Sequence, residues 1–554
     1  MQDLAAARLR VSEPAFKRYY IPLQNLNFKE CPMLWNAKRS RAMFRWPAAA
    51  LAGALLLAAC GGDKSASLDE KLDRQFARFE EVRELVIETY RDLSRSPAQL
   101  MITRDHWESL LAPTADDALS ADDMEALRKR QASEIAASRQ RAIELSAIDF
   151  GRFRALPAAQ AEQRIREFCR AVPKGGMLHI HPWGTLGPDS VRDLLEQNDP
   201  IIPAAQLALG LSDPEGEAWL YPEELEWLRS LPASAPYSAL APADQDRFRA
   251  LLALPPGVHE FPRFEAMFSF VGLLLGDAWE NTVKMYEDFA RRAVRQGVFY
   301  VEFTETIAPQ EVAAYEALGR HLLDAYGLTV RFNNAFFRTN PVEFNASATL
   351  DLLRDIHSPW IVGIDLLADE NHTPALETGQ VIYGPVLADA ELHGGPWHRT
   401  MHAGELGDDR NPRDAMLLGA QRLGHGVRLE RDPVALQYAA QHRIAIEINL
   451  TSNVKLGAVD DIARHPYLKF LRLGLPVSLS TDDEGMFETD ALGECVLAVG
   501  KTDLTYYEYR EMAFNSIRTA FVDDTLKRSF LQRLDNEFAV FERSQKAGEG
   551  ASAL

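Results

Sequence analysis

The stretch MLHIHPWG, from Met177 to Gly184, places two histidines one residue apart directly after a short apolar run. Such a run is typical of a buried β-strand, and the pair His179 and His181 also offers two ligands for a metal ion. The pair alone does not decide between an ordinary strand and a metal site. Any further ligands must therefore come from other parts of the chain.

Short apolar runs, each followed by a segment of helical periodicity, recur along the chain. We predict eight strands, at 177–181, 298–303, 328–334, 360–368, 397–405, 422–427, 444–451 and 476–483. Repeated strand and helix units favour a parallel sheet, and eight of them favour a (β/α)8 TIM barrel. An interval rich in Pro, Ala and acidic residues, at about 187–260, is predicted to be an insertion after the first strand.

The chain before the predicted barrel has the pattern of amphipathic helices. Apolar residues recur every three or four positions from Ser67 to Leu93, and further helical segments are predicted at roughly 121–146 and 158–171. We therefore predict an α-helical N-terminal region at 60–170, a barrel at 171–545 and a flexible tail at 546–554.

The composition is that of a globular chain with a strongly acidic balance. Hydrophobic residues make up 47% of the 554 residues, charged residues make up 25%, and the formal net charge is −20. Binding to nucleic acid depends on Lys and Arg side chains that neutralise phosphates, so this charge argues against nucleic acid as a partner. A small-molecule substrate is the better expectation.

The N-terminus has the features of an exported lipoprotein. An apolar run from Trp46 to Ala59 follows several basic residues and ends in LAAC at 57–60. The run is shorter than the about 20 residues of a membrane span and fits a secretory signal, with a buried apolar helix as the alternative. LAAC resembles the lipobox of bacterial lipoproteins, which implies lipidation of Cys60.

This resemblance divides the N-terminus and predicts the location of the protein. Residues 1–42 are expected to be an over-extended start and residues 43–59 the signal peptide. The mature protein is expected to be exported and anchored by its lipid to a bacterial cell membrane, facing the periplasm and preferably at the outer membrane. Two further cysteines, Cys169 and Cys495, remain in the mature chain, and the sequence does not decide whether they form a bond. Because no C-x-x-C motif is present, the nucleobase deaminase pattern is excluded.

Polar residues follow several predicted strands, and in a barrel the carboxyl ends of the strands face one pocket. The residues at these ends are His179, His181, His402, Glu405, His425, Asp482 and Asp483. Three His and one Asp satisfy the ligand count of a hydrolytic zinc site, and a Glu and another His can move protons. Singly, these residues also fit a solvated loop, a turn histidine or a helix N-cap pair. Their shared position at strand ends favours a metal site.

The motifs PKGGMLHIH, MHAGE, RLGHG and STDD, in this order, resemble the adenosine deaminase family of metal-dependent hydrolases over roughly 160–540. Other segments, among them PRFEAMF, VGIDLLADE and IEINLTSN, resemble more specifically the growth-factor-type, extracellular adenosine deaminases. This resemblance implies a barrel of the metal-dependent hydrolase type with an insertion after strand one. It also implies a helical N-terminal extension through which two copies form a homodimer.

Carried over by motif, the resemblance implies one Zn²⁺ per chain with four ligands: His179, His181, His402 and Asp482. It implies that Glu405 protonates N1 of the purine, that His425 orients or deprotonates the attacking water, and that Asp483 hydrogen-bonds N7. The backbone N–H of Ala368 is expected near N3 of the purine. The implied reaction is the hydrolytic deamination of adenosine and 2′-deoxyadenosine to inosine and ammonia.

The chain departs from the family pattern where the sugar is bound. Relatives carry an Asp at the first or second position after H-x-H, whereas this chain has Pro182 and Trp183, so we expect Trp183 at the substrate site. Phe336 and Phe337 occupy a region that is polar in growth-factor-type enzymes, and Glu484 replaces the usual Pro. Two alternatives stay open: a deaminase or amidohydrolase acting on a modified adenine or other purine, and a non-enzymatic nucleoside-binding surface protein.

Overall fold

The computed structural model describes residues 66–211, 220–254, 261–276, 278–372 and 375–552, and the side chains up to 546. The predicted signal peptide and its lipidation site Cys60 lie outside these described residues. Within the described part of the chain, no helix is long and apolar enough to span a membrane.

Eight parallel strands form the centre of the structure and pair in chain order. They are β1 (Gly175–Ile180), β2 (Val298–Glu305), β3 (Thr329–Phe337), β4 (Ile361–Leu367), β5 (His398–His402), β6 (Arg422–Gly424), β7 (Ala445–Ile448) and β8 (Val477–Leu479). A parallel bridge between Ile180 and Asp482 joins the end of β1 to the segment that follows β8. The sheet therefore closes on itself, and the predicted (β/α)8 barrel is confirmed.

Helices cover the outside of the barrel, which is why the strands can be apolar on both faces. After β2 they lie at Val312–Tyr326, Val342–Asp355, Ala375–His393, Asn411–Leu417, Pro433–His442, Leu450–Lys455, Tyr467–Arg472, Ala491–Lys501, Tyr506–Arg518 and Asp524–Ser552. The last helix runs to Ser552, so the described part of the segment predicted to be a flexible tail is helical.

The connection from β1 to β2 is much longer than the single helix that a barrel crossover requires. It contains helices at Pro188–Asn198, Ala204–Gly210, Pro222–Ser230, Pro242–Ala250, Phe261–Leu275 and Trp279–Arg295. A short antiparallel ribbon pairs Ile201–Ile202 with Ala235–Pro236. The helix Phe261–Leu275 is the part of this connection that reaches the functional site, as described below.

The N-terminal region is helical, at Leu68–Thr89, Arg104–Leu111, Ala121–Leu145, Phe150–Arg154 and Ala158–Ala171. The first helix begins with a capping box between Ser67 and Glu70. It packs on the barrel, since the ring of Phe79 lies 5.3 Å from that of Tyr438, edge to face.

A disulfide joins Cys169 to Cys495, whose Cα atoms are 5.8 Å apart. Cys169 lies in the helix that leads into β1, and Cys495 lies in the helix Ala491–Lys501 that follows β8. The bond thus connects the flanks of the first and last strands, which are the two strands that close the barrel.

Candidate active site

A cavity opens at the carboxyl ends of the barrel strands, and most of the residues expected from the sequence line it. The polar lining includes His181, His402, Glu405, His425, Asp482 and Asp483. Much of the remaining wall is apolar: Pro182, Trp183, Phe261, Phe264, Phe268, Phe337, Leu367, Ala368 and Leu456. His179 is buried next to this lining, where its ring lies 4.4 Å from that of His402. A largely apolar cavity with a few convergent polar groups is typical of a small-molecule site.

Four of the predicted residues form a compact group that can hold a metal ion: His179, His181, His402 and Asp482. One ligand atom from each lies within 4.8 Å of all the others. Nε2 of His181 is 3.1 Å from Nε2 of His402 and 3.3 Å from Oδ1 of Asp482. Two ligands that are each about 2.0–2.1 Å from one zinc ion would stand roughly 3–4 Å apart. The spacing therefore fits such an ion.

Carboxylates behind this group orient two of its histidines. Oε2 of Glu447 lies 2.9 Å from Nδ1 of His179, and Oδ1 of Asp365 lies 3.0 Å from Nδ1 of His402. A carboxylate at Nδ1 holds the proton there and turns Nε2 toward the metal position. Among the described residues, Nε2 of His179 is buried without a hydrogen-bond partner. The side chains present thus fit a metal ion in ligand type, orientation and spacing.

The ionised form of Asp482, which is the form that binds a metal ion, is favoured. Although burial opposes ionisation, the contact with His179 holds the pKa of Asp482 well below its usual value. Asp482 also has a left-handed backbone, with φ of 60°, and its backbone pairs with β1. Strained backbone of this kind collects at functional sites, where the surrounding structure holds it.

Glu405 has the properties of a proton donor. Its side chain is buried, and one of its oxygens, Oε1, lacks a hydrogen-bond partner among the described residues. Burial, together with the neighbouring Asp482 and Glu370, raises the pKa of Glu405 well above its usual value. Glu370 also fixes the position of this residue, because its carboxylate accepts hydrogen bonds from the backbone N–H of Gly404 and of Glu405, each at 2.9 Å.

A chain of hydrogen bonds determines which nitrogen of His425 carries the proton. Burial lowers the pKa of His465 to about 3, so this ring is neutral. Its Nδ1 accepts a hydrogen bond from the backbone N–H of Tyr467 at 3.2 Å, which leaves the proton on Nε2. Nε2 of His465 then donates to Oδ1 of Asn453 at 3.0 Å. The amide of Asn453 is thereby oriented with its Nδ2 toward His425, at 2.7 Å from Nδ1 of that ring.

His425 is therefore a hydrogen-bond donor toward the metal group. Because its Nδ1 accepts from Asn453, its own proton lies on Nε2, which is 4.0 Å from Oδ2 of Asp482. Burial and the neighbouring His179 lower the pKa of His425 well below its usual value, so the ring is neutral. A neutral ring with Nε2–H can orient a water or hydroxide by donating to its oxygen.

Asp483 lies close against the backbone that follows β1. A Cβ atom added at Gly184 would lie 1.9 Å from Oδ1 of Asp483, so only glycine leaves room for this carboxyl. Burial and the adjacent Asp482 raise the pKa of Asp483 well above its usual value, and its Oδ1 lacks a hydrogen-bond partner among the described residues. A protonated Asp483 can donate a hydrogen bond into the cavity.

The structure gives Glu484, which stands where relatives have Pro, an anchoring role. Its carboxylate forms an ion pair with Arg292 and accepts a hydrogen bond from the Thr481 hydroxyl at 3.1 Å. Arg292 also donates to the backbone carbonyl of Thr185. The segment that carries Asp482 and Asp483 is thereby tied to the loop after β1.

Ala368 lines the cavity directly after β4 with a φ of 75°. This left-handed conformation costs an L-residue about 1–2 kcal/mol and is free of strain for glycine. The backbone N–H stays available to a ligand with either residue.

Of the residues that depart from the family pattern, Pro182, Trp183 and Phe337 line the cavity, whereas Phe336 is buried outside its lining. Trp183 belongs to a short 3-10 helix, Pro182–Gly184, and Phe337 ends β3. Two carboxyls that the sequence did not single out, Glu265 and Glu305, also line the cavity. Burial raises the pKa of each to about 7.

Sequence reasoning missed the residues that orient the ligands and His425. Asp365 and Glu447 lie inside β4 and β7, so a charged residue within an otherwise apolar strand was the available signal. Glu370 and Asn453 stand in VGIDLLADE and IEINLTSN, but their partners Glu405 and His425 are 35 and 28 positions away in sequence. Only the folded register brings them together.

The family model for adenosine deaminase matches residues 242–537, which is more than half of the chain. The chain belongs to the adenosine deaminase family. An adenosine deaminase of Klebsiella pneumoniae is 35% identical over 179 residues, covering 32% of this chain and 52% of the relative. The chain thus matches about half the length of this relative. An adenosine deaminase of Shewanella pealeana is 27% identical, covering 65% of this chain and 97% of the relative.

A solved structure supports the fold of this family member. An amidohydrolase from Burkholderia ambifaria, solved with bound Zn, superposes with a TM-score of 0.53 and covers 71% of this chain and 96% of its own. The two chains are 19% identical, so the likeness concerns the fold.

Proposed function

We propose that this member of the adenosine deaminase family is a zinc-dependent hydrolytic deaminase that converts adenosine and 2′-deoxyadenosine to inosine and ammonia. The observation that carries the proposal is the buried carboxyl of Glu405, with its raised pKa, which lines the cavity together with His181, His402 and Asp482 of the metal group. The named relatives are adenosine deaminases, which supports the reaction. The resemblance to the growth-factor-type subgroup is part of this proposal.

Zinc is the metal that the ligands favour. Three imidazoles and one carboxylate are nitrogen and oxygen donors of the kind that Zn²⁺ takes. The bound Zn of the Burkholderia amidohydrolase supports the same choice. When bound, zinc lowers the pKa of water to about 7 and so supplies hydroxide at neutral pH.

The side chains of this site would act on the purine as hydrogen-bond donors. N1 and N7 of adenine are acceptors, so each needs a partner that carries a proton, and burial provides this by raising the pKa of Glu405 and of Asp483. Proton donation from Glu405 to N1 makes C6 more electrophilic. His425, a donor through Nε2, orients the attacking oxygen. The hydroxyl formed at C6 gives its proton to the amino group, which leaves as ammonia, and C6 becomes the carbonyl of inosine. The backbone N–H of Ala368 is proposed to face N3.

The charge of the cavity favours a nucleoside over a nucleotide. Among the described residues that line it, none is Lys or Arg, and Glu265 and Glu305 add two carboxyls to those of the catalytic set. A phosphate group would find no cationic partner in this lining. The described lining therefore supports adenosine, with a modified adenine or other purine as the second candidate. The intact catalytic set argues against a protein that only binds nucleosides.

The test is turnover by the purified, zinc-loaded protein with adenosine, 2′-deoxyadenosine, adenine and adenosine monophosphate. We expect both nucleosides to be deaminated, as measured by ammonia release, and the nucleotide to react at least 100-fold more slowly. Glu405→Gln should abolish turnover while zinc content stays near one per chain. Absence of turnover with every adenine compound would refute the enzymatic proposal.

We also propose that the protein is exported and lipid-anchored through Cys60. The basic residues, the apolar run and the LAAC sequence support this. The disulfide between Cys169 and Cys495 supports it independently, because disulfides persist mainly in oxidising compartments. Incorporation of labelled palmitate that Cys60→Ser abolishes would test the anchor. The homodimer expected through the N-terminal helices is part of the proposal, and its test is the molar mass by light scattering.

A further inference from the structure

The loop after β1 presents an indole at the position where relatives present a carboxylate. Trp183 lines the cavity, and its side chain donates a hydrogen bond to Glu305. Pro182 precedes it and sets the backbone of the 3-10 helix Pro182–Gly184. The indole N–H is a donor only, so it cannot replace a carboxylate as an acceptor for a sugar hydroxyl.

A different carboxylate lines the same cavity. Glu305 is the last residue of β2, and its side chain lies in the wall together with Trp183 and Thr306. It is fixed on two further sides, since Oε2 accepts from the Tyr286 hydroxyl at 2.9 Å and Oε1 accepts from the backbone N–H of Thr306 at 2.9 Å. Three donors thus hold this carboxyl in one orientation.

The contacts of Glu305 leave it able to bind one more group. A carboxylate offers about four lone-pair sites, and three donors occupy three of them. A purely structural carboxyl gains nothing from facing an apolar cavity, because burial disfavours its charged form. The pKa of Glu305, raised to about 7 by burial, reflects that cost. A bound hydroxyl would add a hydrogen bond to this group in either protonation state.

We propose that Glu305, oriented by Trp183 and Tyr286, binds a sugar hydroxyl of the nucleoside in place of the carboxylate that relatives carry after the H-x-H motif. The proposal rests on the proposed function, since it assigns the sugar-binding group of the same site. The carboxylate comes from the end of β2 and not from the loop after β1. Glu305 is therefore a specificity-determining residue that touches the part of the substrate remote from the reacting C6.

The experiment compares substrates that differ by one hydroxyl. Turnover of adenosine and of its 2′-, 3′- and 5′-deoxy analogues is measured with the zinc-loaded wild-type protein, with Glu305→Ala and with Glu305→Gln. A hydrogen bond to a carboxylate corresponds to about 10–100-fold in kcat/KM. We expect kcat/KM of Glu305→Ala with adenosine to fall by that factor, mainly because KM rises. With the one analogue that lacks the bound hydroxyl, kcat/KM should change less than about threefold. Glu305→Gln should recover part of the loss.

Two controls separate specificity from folding. Trp183→Phe keeps the ring and removes only the N–H, so we expect a smaller loss with adenosine, also confined to the substrates that carry the bound hydroxyl. If Glu305→Ala lost the same factor in kcat/KM with adenosine and with all three analogues, the proposal would be overturned. An unchanged kcat/KM in Glu305→Ala would also overturn it. The proposal would also be overturned if Glu265→Gln, and not Glu305→Ala, removed the discrimination between substrates.

A binding measurement distinguishes failure of this proposal from failure of the proposed function. In the Glu405→Gln background, calorimetry measures the affinity for adenosine and for each analogue without turnover. A wild-type protein that deaminates no nucleoside would refute the proposed function. If affinity in the Glu405→Gln background still depended on one hydroxyl, and on Glu305, the sugar-binding role would stand. If affinity did not depend on Glu305, this role would be refuted even with an active enzyme.

Discussion

Asn453 donates a hydrogen bond from Nδ2 to Nδ1 of His425 over 2.7 Å, and this contact assigns the proton of His425 to Nε2. The direction of the bond is fixed from outside the site, because Oδ1 of Asn453 accepts from His465. The side chains of Asn453 and His465 do not line the cavity, yet together they decide whether His425 can donate or accept at the reacting oxygen. They are positioning residues.

The substitution Asn453→Asp tests this assignment. A carboxylate at this position accepts a hydrogen bond from His425, so it draws the proton to Nδ1 and leaves Nε2 without it. We expect kcat to fall by about 10²–10⁴, the range observed when a catalytic histidine is held in the wrong tautomer or a proton-transfer group is lost. Zinc content, measured by metal analysis, should stay near one per chain.

His465→Gln is the matched control for the relay, because its amide N–H can still donate to Oδ1 of Asn453. We expect this variant to keep kcat within about tenfold of the wild-type value. A full loss of activity in His465→Gln, together with full activity in Asn453→Asp, would contradict the tautomer assignment.

Metal affinity should depend on the carboxylates that orient the histidine ligands. Glu447→Gln replaces the acceptor at Nδ1 of His179, which lies 2.9 Å away, by an amide whose orientation is not fixed by charge. Losses of this kind typically weaken metal binding by 10–100-fold. We expect such a loss for Glu447→Gln and for Asp365→Asn in competition with a zinc chelator. Unchanged zinc affinity in both variants would show that these carboxylates serve the fold alone.

The barrel and the metal group could be predicted from the sequence because local sequence patterns indicate both. Apolar runs of strand length alternate with helical segments, and His402 and Asp482 follow two such runs directly. Parallel strands in a closed barrel bring their carboxyl ends together, independently of the length and conformation of the loops. A strand count and the positions of the polar residues therefore suffice to collect the ligands.

The orientation of these ligands could not be predicted, because it depends on register between distant strands. Glu447 reaches His179 across 268 positions of sequence, and only the pairing of β7 with its neighbours sets that distance. The left-handed backbone at Ala368 could not be predicted either, because an alanine does not indicate this conformation. Glu305 could not be predicted, because the sequence shows that a carboxylate is missing after His181 but not that a carboxylate at the end of β2 faces the same cavity.

The disulfide should contribute strongly to stability. Cys169 and Cys495 are separated by 326 residues, so the bond restricts the unfolded chain over most of the barrel. We expect the double variant Cys169→Ala/Cys495→Ala to lose about 2–4 kcal/mol of unfolding free energy. Denaturant unfolding without reductant measures this loss, and thiol titration of the wild-type protein should find neither cysteine free. Equal stability of the two proteins would contradict the expectation.

The contribution of Glu494 to stability should fall as pH rises toward neutrality. Its carboxyl is buried and accepts hydrogen bonds from the backbone N–H of Leu450 at 2.8 Å and the Thr489 hydroxyl at 3.0 Å. Burial raises the pKa of Glu494 from 4.5 to about 7, against the effect of these hydrogen bonds. The folded state therefore holds a proton that the unfolded state releases above about pH 4.5.

The sign of the effect follows from this raised pKa. The contribution of Glu494 to stability is complete below pH 4.5, the usual pKa, and is lost as pH rises through about 7. Its size is on the order of 3 kcal/mol, because each pKa unit corresponds to about 1.4 kcal/mol. We expect Glu494→Gln, which cannot ionise, to lower the dependence of unfolding free energy on pH between 5 and 8. Glu134→Gln, on the exposed face of Ala121–Leu145, is the matched control and should keep the wild-type slope. Identical slopes in all three proteins would show that Glu494 does not titrate in this range.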